Sequence, residues 1–282
     1  MSEWHIAQGY RFAGVHSGIR PEPDRRDLAL FVSDRAASAA GVFTQNRVCA
    51  APVHVCRERL PSSKARGIVV CSGNANACTG QGGINDARRM TALASQVLAC
   101  EPDQMLVCST GVIGRPLPMP YIEEGIRKAG KELQSSAIAL NHAAHAILTT
   151  DTHIKVSTRL IQTPAGSGSI TGLAKGAAMI GPNMATMLAF VLSDASIATE
   201  DLAALAKSAA DQSFNCVRVE GHTSTNDSLI LMANGQASPW QGESLSLFED
   251  AVTEVCRDLA MAIANDAEGT PCSDARFSSR SA

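Results

Sequence analysis

The chain has 282 residues, of which 45% are hydrophobic, 18% charged and only 4% aromatic. That balance fits one large or two moderate globular domains with a core of Ala, Val, Ile, Leu and Met. A formal net charge of −3, without a long basic run, argues against nucleic acid or an anionic membrane as the main partner. No apolar stretch is long enough to span a bilayer.

The first residues, MSEWHIAQGYRFAG, lack the basic and apolar regions of a secretory signal, so a cytoplasmic location is expected. None of the nine cysteines forms a CxxC pair, and free thiols are expected in a reducing compartment. His142 and His145 are three apart on an expected helix without an acidic or cysteine partner, so no metal site is expected.

In chain order, residues 28–32 (LALFV), 40–43, 67–71 (GIVVC) and 105–108 (MLVC) read as buried strands. Residues 85–99 place Ala87, Met90, Leu93, Ala94, Val97 and Leu98 near helical spacing, with Asn85 or Asp86 as cap. Residues 121–129 and 133–148 read as further helices, the second with a small-residue face suited to close packing. After Asp151 the pattern becomes β-rich. Residues 153–160 alternate, and a Gly/Ser turn at 165–169 leads into 170–174, which predicts a hairpin. Residues 187–192 are all apolar, as in a buried central strand. Residues 201–212 form an amphipathic helix, and 217–219 and 228–232 read as paired strands around the loop GHTSTND. Residues 245–264 make a long helix with one wide apolar face. The last segment, residues 270–282, has no periodicity and is expected to lack structure on its own. There is no internal repeat.

Five runs carry chemistry. In KGAAMIGPNMATML (175–188), Thr186 follows Ala185 in an apolar run after a Gly-Pro break. It reads either as a buried threonine or as a hydroxyl able to attack the preceding carbonyl. Cleavage there would set a free α-amine beside the Thr186 hydroxyl. CSTGVIGRPL (108–117) reads either as an oxyanion site or as a tight connection needing Gly111 and Gly114. CSGNANACTGQGG (71–83) suits a polar pocket and lacks phosphate-loop spacing. SFNCVRVEGHTSTND (213–227) can orient an amino-acid substrate or cap its own turn. Glu268 in NDAEGT is either a solvated carboxylate or a partner for a substrate ammonium.

These runs occur together and in order, with GYRFAGVHSGI, GVFTQNRVCAAPV and LTTDTHIK beside them. To about Gly269 the chain resembles the ornithine acetyltransferase family, also called the ArgJ or glutamate N-acetyltransferase family. The resemblance implies an α+β fold of stacked β-sheets with flanking helices, of the N-terminal-nucleophile kind. It implies an enzyme of arginine biosynthesis that cuts itself at Ala185-Thr186. The products would be an α region, 1–185, and a β region, 186–269, which assemble as an α/β heterotetramer. By the same match Thr186 is the nucleophile, and Thr110 and Gly111 are the oxyanion donors. Thr152, Lys175, Thr186 and Glu268 match the substrate contacts. The implied reaction moves acetyl from N-acetylornithine to glutamate and releases ornithine. It needs no cofactor, and a bifunctional member would take acetyl-CoA as co-substrate.

The chain departs from the family pattern in two places. Cys216 and His222 stand where the family motif is usually polar or charged. Family members also continue well past the motif around Glu268, whereas here Thr270 is followed by PCSDARFSSRSA. A truncation or frameshift is therefore expected, with an incomplete β region, an aberrant tail at 270–282 and an open sheet edge. Two other readings stay open. One is an inactive truncated homologue. The other is an N-terminal-threonine amidohydrolase or aminopeptidase, in which water resolves the acyl-enzyme.

Overall fold

The structure, a computed structural model, describes residues 4–163, 166–177, 187–217, 223–237 and 243–266. Its spine is one 16-residue strand, β2 (Leu28–Phe43). The first half of β2 pairs antiparallel with β1 (Tyr10–Val15) on one edge and β3 (Ser62–Asn74) on the other. Its second half pairs with β8 (Ser228–Ala233). The expected strands 28–32 and 40–43 are thus one strand. The ladder to β3 shifts register between Val32 and Ala37, and Asp34, Arg35 and Ala36 there are exposed. The polar interruption marks a bend at which extended backbone continues, not a strand end.

The remaining strands are β4 (Met105–Val112), β5 (Lys155–Thr163), β6 (Gly166–Lys175) and β7 (Leu188–Ser193). The hydrogen-bonded order is β4-β3-β2-β8-β7-β6-β5, with β1 attached to β2 outside this path. The pairs β3/β4 and β7/β8 are parallel. The β5/β6 hairpin forms as expected. Both edges of β8 are taken over its whole length, by β2 and β7, so its expected pairing with residues 217–219 is replaced by longer-range partners. Residues 218–219 lie outside the described residues.

Among the described residues six α-helices flank the strands: α1 (Ala51–Arg59), α2 (Gly80–Leu98), α3 (Met119–Lys131), α4 (Ala137–Ala146), α5 (Thr199–Asp211) and α6 (Glu243–Asn265). Two cores result. The first combines α1–α4 and β1–β4 with Leu188, Phe190 and Leu192 of β7. The second combines α5 and α6 with Ala189 and Val191 of the same strand. Alternate residues of β7 therefore serve opposite cores, which explains its unbroken apolar run. Phe31 of β2 and Phe190 meet with ring centroids 4.8 Å apart, tying the two halves of the sheet face to face. This is the expected α+β class with flanking helices, and the strands expected as stacked sheets are hydrogen-bonded into one mixed sheet.

Local chemistry moves several helix boundaries. Helix α4 begins at Ala137, not at 133, because Ser136 Oγ accepts the Ala139 N–H at 3.2 Å. Gln134 instead exchanges two backbone hydrogen bonds with Phe12 of β1. A Cβ on Gly14 would stand 2.1 Å from the His142 carbonyl oxygen, so this glycine lets α4 lie directly on β1. Helix α2 starts at Gly80, a turn before the expected cap. Helix α1 was not expected from the sequence, since APVHVCRER is too short and polar for a clear helical stripe. Among the described residues no helix is long and apolar enough to cross a membrane.

Candidate active site

The parallel strands β3 and β4 end side by side, with Ser72 opposite Thr110 and Gly73 opposite Gly111. Gly111 has φ 129° and Gly73 φ 110°, a region L side chains rarely occupy. A Cβ on Gly111 would stand 2.3 Å from the Gly73 carbonyl carbon. The STG run is thus a close crossing of two backbones. Its glycine is required by geometry, which fits the tight-connection reading without removing the oxyanion one.

Asn226 joins three of the runs noted in the sequence. Its Nδ2 donates to the Ala75 carbonyl at 2.6 Å and to the Ser109 carbonyl at 2.8 Å, while its Oδ1 accepts the Thr225 hydroxyl at 2.6 Å. The loop at 223–227 therefore braces the SGNANA and STG turns. Neither of its two sequence readings included this role.

Lys175, at the end of β6, is 2% exposed, and its Nζ reaches Thr110 Oγ1 at 3.4 Å. Burial pushes its pKa down, and the Asp151 charge opposes that shift. Thr110, Gly111 and Lys175 line one pocket of about 580 Å³, together with Arg20, Glu22, Gly73, Arg115 and Thr149. That size suits a small amino-acid substrate.

Beside this pocket lies a buried charge network. Asp151 Oδ1 accepts from Lys155 Nζ at 2.8 Å and from the Gly176 N–H at 2.6 Å. Lys155 Nζ also donates to Asp266 Oδ2 at 2.6 Å. Burial alone would raise the Asp151 carboxyl, but the charges of Lys175 and Lys155 pull it down to about 2. Asp266, the residue after α6, joins this network and accepts the Thr152 N–H at 3.1 Å and the Thr152 hydroxyl. Thr152 lines a second cavity, of about 200 Å³, with Asp151, His153 and Arg20. Of the expected site residues, Thr110, Gly111 and Lys175 share one pocket, while Thr152 faces the adjoining one.

Ala185, Thr186 and Glu268 lie outside the described residues. Their described neighbours are firmly held. Leu188 is the ladder partner of Lys175, and the Met187 N–H donates to Asp227 Oδ1 at 3.0 Å. Asp227 Oδ2 is buried with no hydrogen-bond partner among the described residues. Burial drives this carboxyl well above the usual range, against the hydrogen bond from Met187.

Arg20, Asp151 and Lys155 were not singled out in the sequence, and Asp227 and Asp266 entered only as members of the runs SFNCVRVEGHTSTND and NDAEGT. For Asp151 and Lys155 the usable signal was LTTDTHIK, where an acid and a lysine stand four apart. Among the described residues no cluster of His, Cys, Asp and Glu is able to hold a metal, and eight cysteines are free.

Residues 11–273 match the ArgJ family. The chain is 44% identical to the arginine biosynthesis bifunctional protein ArgJ of Caldanaerobacter subterraneus subsp. tengcongensis, over 94% of this chain and 66% of that protein. It is 46% identical to the protein of the same description from Geobacter sulfurreducens, over 93% of this chain and 67% of that one. It therefore spans about two thirds of the length of these relatives. Among solved structures it is similar to ornithine acetyltransferase from Mycobacterium tuberculosis complexed with ornithine, with 33% identity and a TM-score of 0.59. That match covers 67% of this chain and 98% of the other. The l-aminopeptidase d-ala-esterase/amidase of Ochrobactrum anthropi, described as a variant of the Ntn hydrolase fold, aligns with a TM-score of 0.56 at 12% identity. It covers 94% of this chain and 87% of that one, and at that identity the likeness shows shared fold alone.

Proposed function

Because the chain belongs to the ArgJ family, we propose that it is an acetyltransferase moving acetyl from N-acetylornithine to glutamate through an ester on Thr186. The observation that carries this reading is the meeting of Thr110, Gly111 and Lys175 on one pocket large enough for an amino acid. Support also comes from Leu188, which brings the chain back beside Lys175 two residues after Thr186.

The chain first cuts itself at Ala185-Thr186. Strand pairs β6/β7 and β2/β8 bridge the cut, so its two parts stay hydrogen-bonded in one sheet. These parts correspond to the α region, 1–185, and the β region, 186–269. The freed α-amine of Thr186 takes the hydroxyl proton, and the oxygen attacks the acetyl carbonyl. The Thr110 hydroxyl and Gly111 N–H donate to the oxyanion, each such donor being worth about 2.7–4 kcal/mol in the transition state. The amide C–N bond breaks, the proton passes to the departing amine, and ornithine leaves. Glutamate then attacks the ester through its own amine, and Thr186 regains its proton. Lys175 holds a substrate carboxylate and Glu268 an ammonium. A bifunctional enzyme would reload Thr186 from acetyl-CoA.

Intact mass after expression tests the first step. Wild type is expected as two fragments divided at Ala185/Thr186, and Thr186→Ala as one. Incubation with N-acetylornithine should add one acetyl group to the fragment that begins with Thr186, and glutamate should remove it. A chain left uncut and unacetylated after long incubation would sink the proposal. Acetyl-CoA with glutamate, without N-acetylornithine, separates the two forms: N-acetylglutamate appears only if the enzyme is bifunctional.

A further inference from the structure

Arg20 sits on the connection between β1 and β2, and its placement is fixed from both ends. Its backbone N–H donates to buried Asp27 Oδ2 at 3.0 Å, and its Nη2 donates to the Leu148 carbonyl at 2.9 Å. The Nε is buried yet has no hydrogen-bond partner among the described residues. A guanidinium presents its donors as a rigid planar fork, whose Nε edge is suited to a carboxylate. Arg20 lines the same pocket as Thr110, Gly111 and Lys175.

The charge on that pocket is unbalanced. Among the described residues Arg20, Arg115 and Lys175 line it, against one acid, Glu22. Asp151 lies close to Lys175 and is already engaged by Lys155 and the Gly176 N–H. Burial lowers the proton affinity of both Arg20 and Lys175, and the charge of Arg20 adds to the effect on Lys175. Negative charge bound beside each of them relieves that repulsion. One carboxylate serves Lys175, so an occupant meeting both cations carries two.

We infer that Arg20 is a carboxylate-binding residue of this pocket and selects a dicarboxylic amino acid over its neutral amide. The inference deepens the proposed function, because it assigns the side-chain carboxylate of the glutamate acceptor to Arg20. Glu22, exposed at the same pocket, offers the opposite charge to a donor that ends in an ammonium.

The test is calorimetric binding of L-glutamate and L-glutamine to the full chain, as wild type, Arg20→Gln and Arg20→Lys. Binding of either ligand is read without turnover. Wild type is expected to prefer glutamate by about 10-fold or more, as for a charge-assisted hydrogen bond. Arg20→Gln should reduce that preference to within about 2-fold while leaving glutamine affinity nearly unchanged. Arg20→Lys should retain part of it, since a point charge replaces the fork. If Arg20→Gln does not fold, the lysine variant carries the comparison. Equal binding of the two ligands by wild type, or of neither, overturns the inference. So does an unchanged preference in both variants, or an equal loss of both ligands, which marks a purely structural role. A glutamate preference that depends on Arg20, in a chain that never acetylates Thr186, would refute the proposed function and leave this inference standing.

Discussion

Replacing Asp151 with asparagine keeps the side chain's shape and removes its charge. In the native protein this carboxylate is 5% exposed, between two lysines that are 1% and 2% exposed. It accepts from Lys155 Nζ and the Gly176 N–H through one oxygen, and from the Thr149 N–H through the other. Its fall from 3.8 to about 2 corresponds to roughly 2–3 kcal/mol of stability at neutral pH. Removing one partner of a buried ion pair typically costs about 3–5 kcal/mol, because the other charge stays buried. Here Lys155 keeps Asp266, which limits the damage. Asp151→Asn is therefore expected to lose about 2–4 kcal/mol. Urea unfolding at pH 7 reads that loss through the transition midpoint. The same measurement across pH identifies its origin. The folded pKa lies below the unfolded one, so the stabilisation is complete above about pH 4 and disappears as pH falls through about 2. The wild-type and variant curves should converge in that window. A difference below about 0.5 kcal/mol at pH 7, or curves that stay parallel into acid, would refute the electrostatic account.

Asn226→Ala should cost about 2–4 kcal/mol in urea unfolding, since it leaves the Ala75 and Ser109 carbonyls without their side-chain donor. It should also loosen the STG turn, so glutamate binding weakens even though Asn226 does not line the pocket; unchanged binding and stability would refute the bracing role. Asp227→Asn retains an acceptor for the Met187 N–H and removes a buried acid. The folded pKa of Asp227 is raised, so its penalty grows as pH rises above the unfolded value, and the variant should be at least as stable as wild type at pH 7. That advantage should fade below about pH 4. A loss above about 1 kcal/mol at pH 7 would show that Asp227 is ionised and paired in the native state.

Elements carrying their own signal were readable in advance. The β5/β6 hairpin announced itself by alternation and a Gly/Ser turn, and the buried β7 by an unbroken apolar run. Elements defined by remote partners were not. Strand β2 reads as two strands because its bend is polar, and only its ladders to β3 and β8 show it to be continuous. The sequence predicts a neighbour for β8 at 217–219, yet both its edges are filled from more than 30 residues away in the chain.

The candidate site divides in the same way. Residue order was enough to identify the family and to single out Thr110, Gly111 and Lys175, because the motifs around them are contiguous. The chemistry proposed for Thr186 likewise rests on two adjacent residues, since a peptide bond and the hydroxyl beside it need no distant partner to be recognised. The tertiary structure decided what surrounds them. It buried Lys175 against Thr110, gave Lys155 two carboxylates 4 and 111 positions away, and placed Arg20 on the wall of the same pocket. Burial and Coulomb interaction depend on distance through space, and chain separation says little about that once eight strands share one sheet.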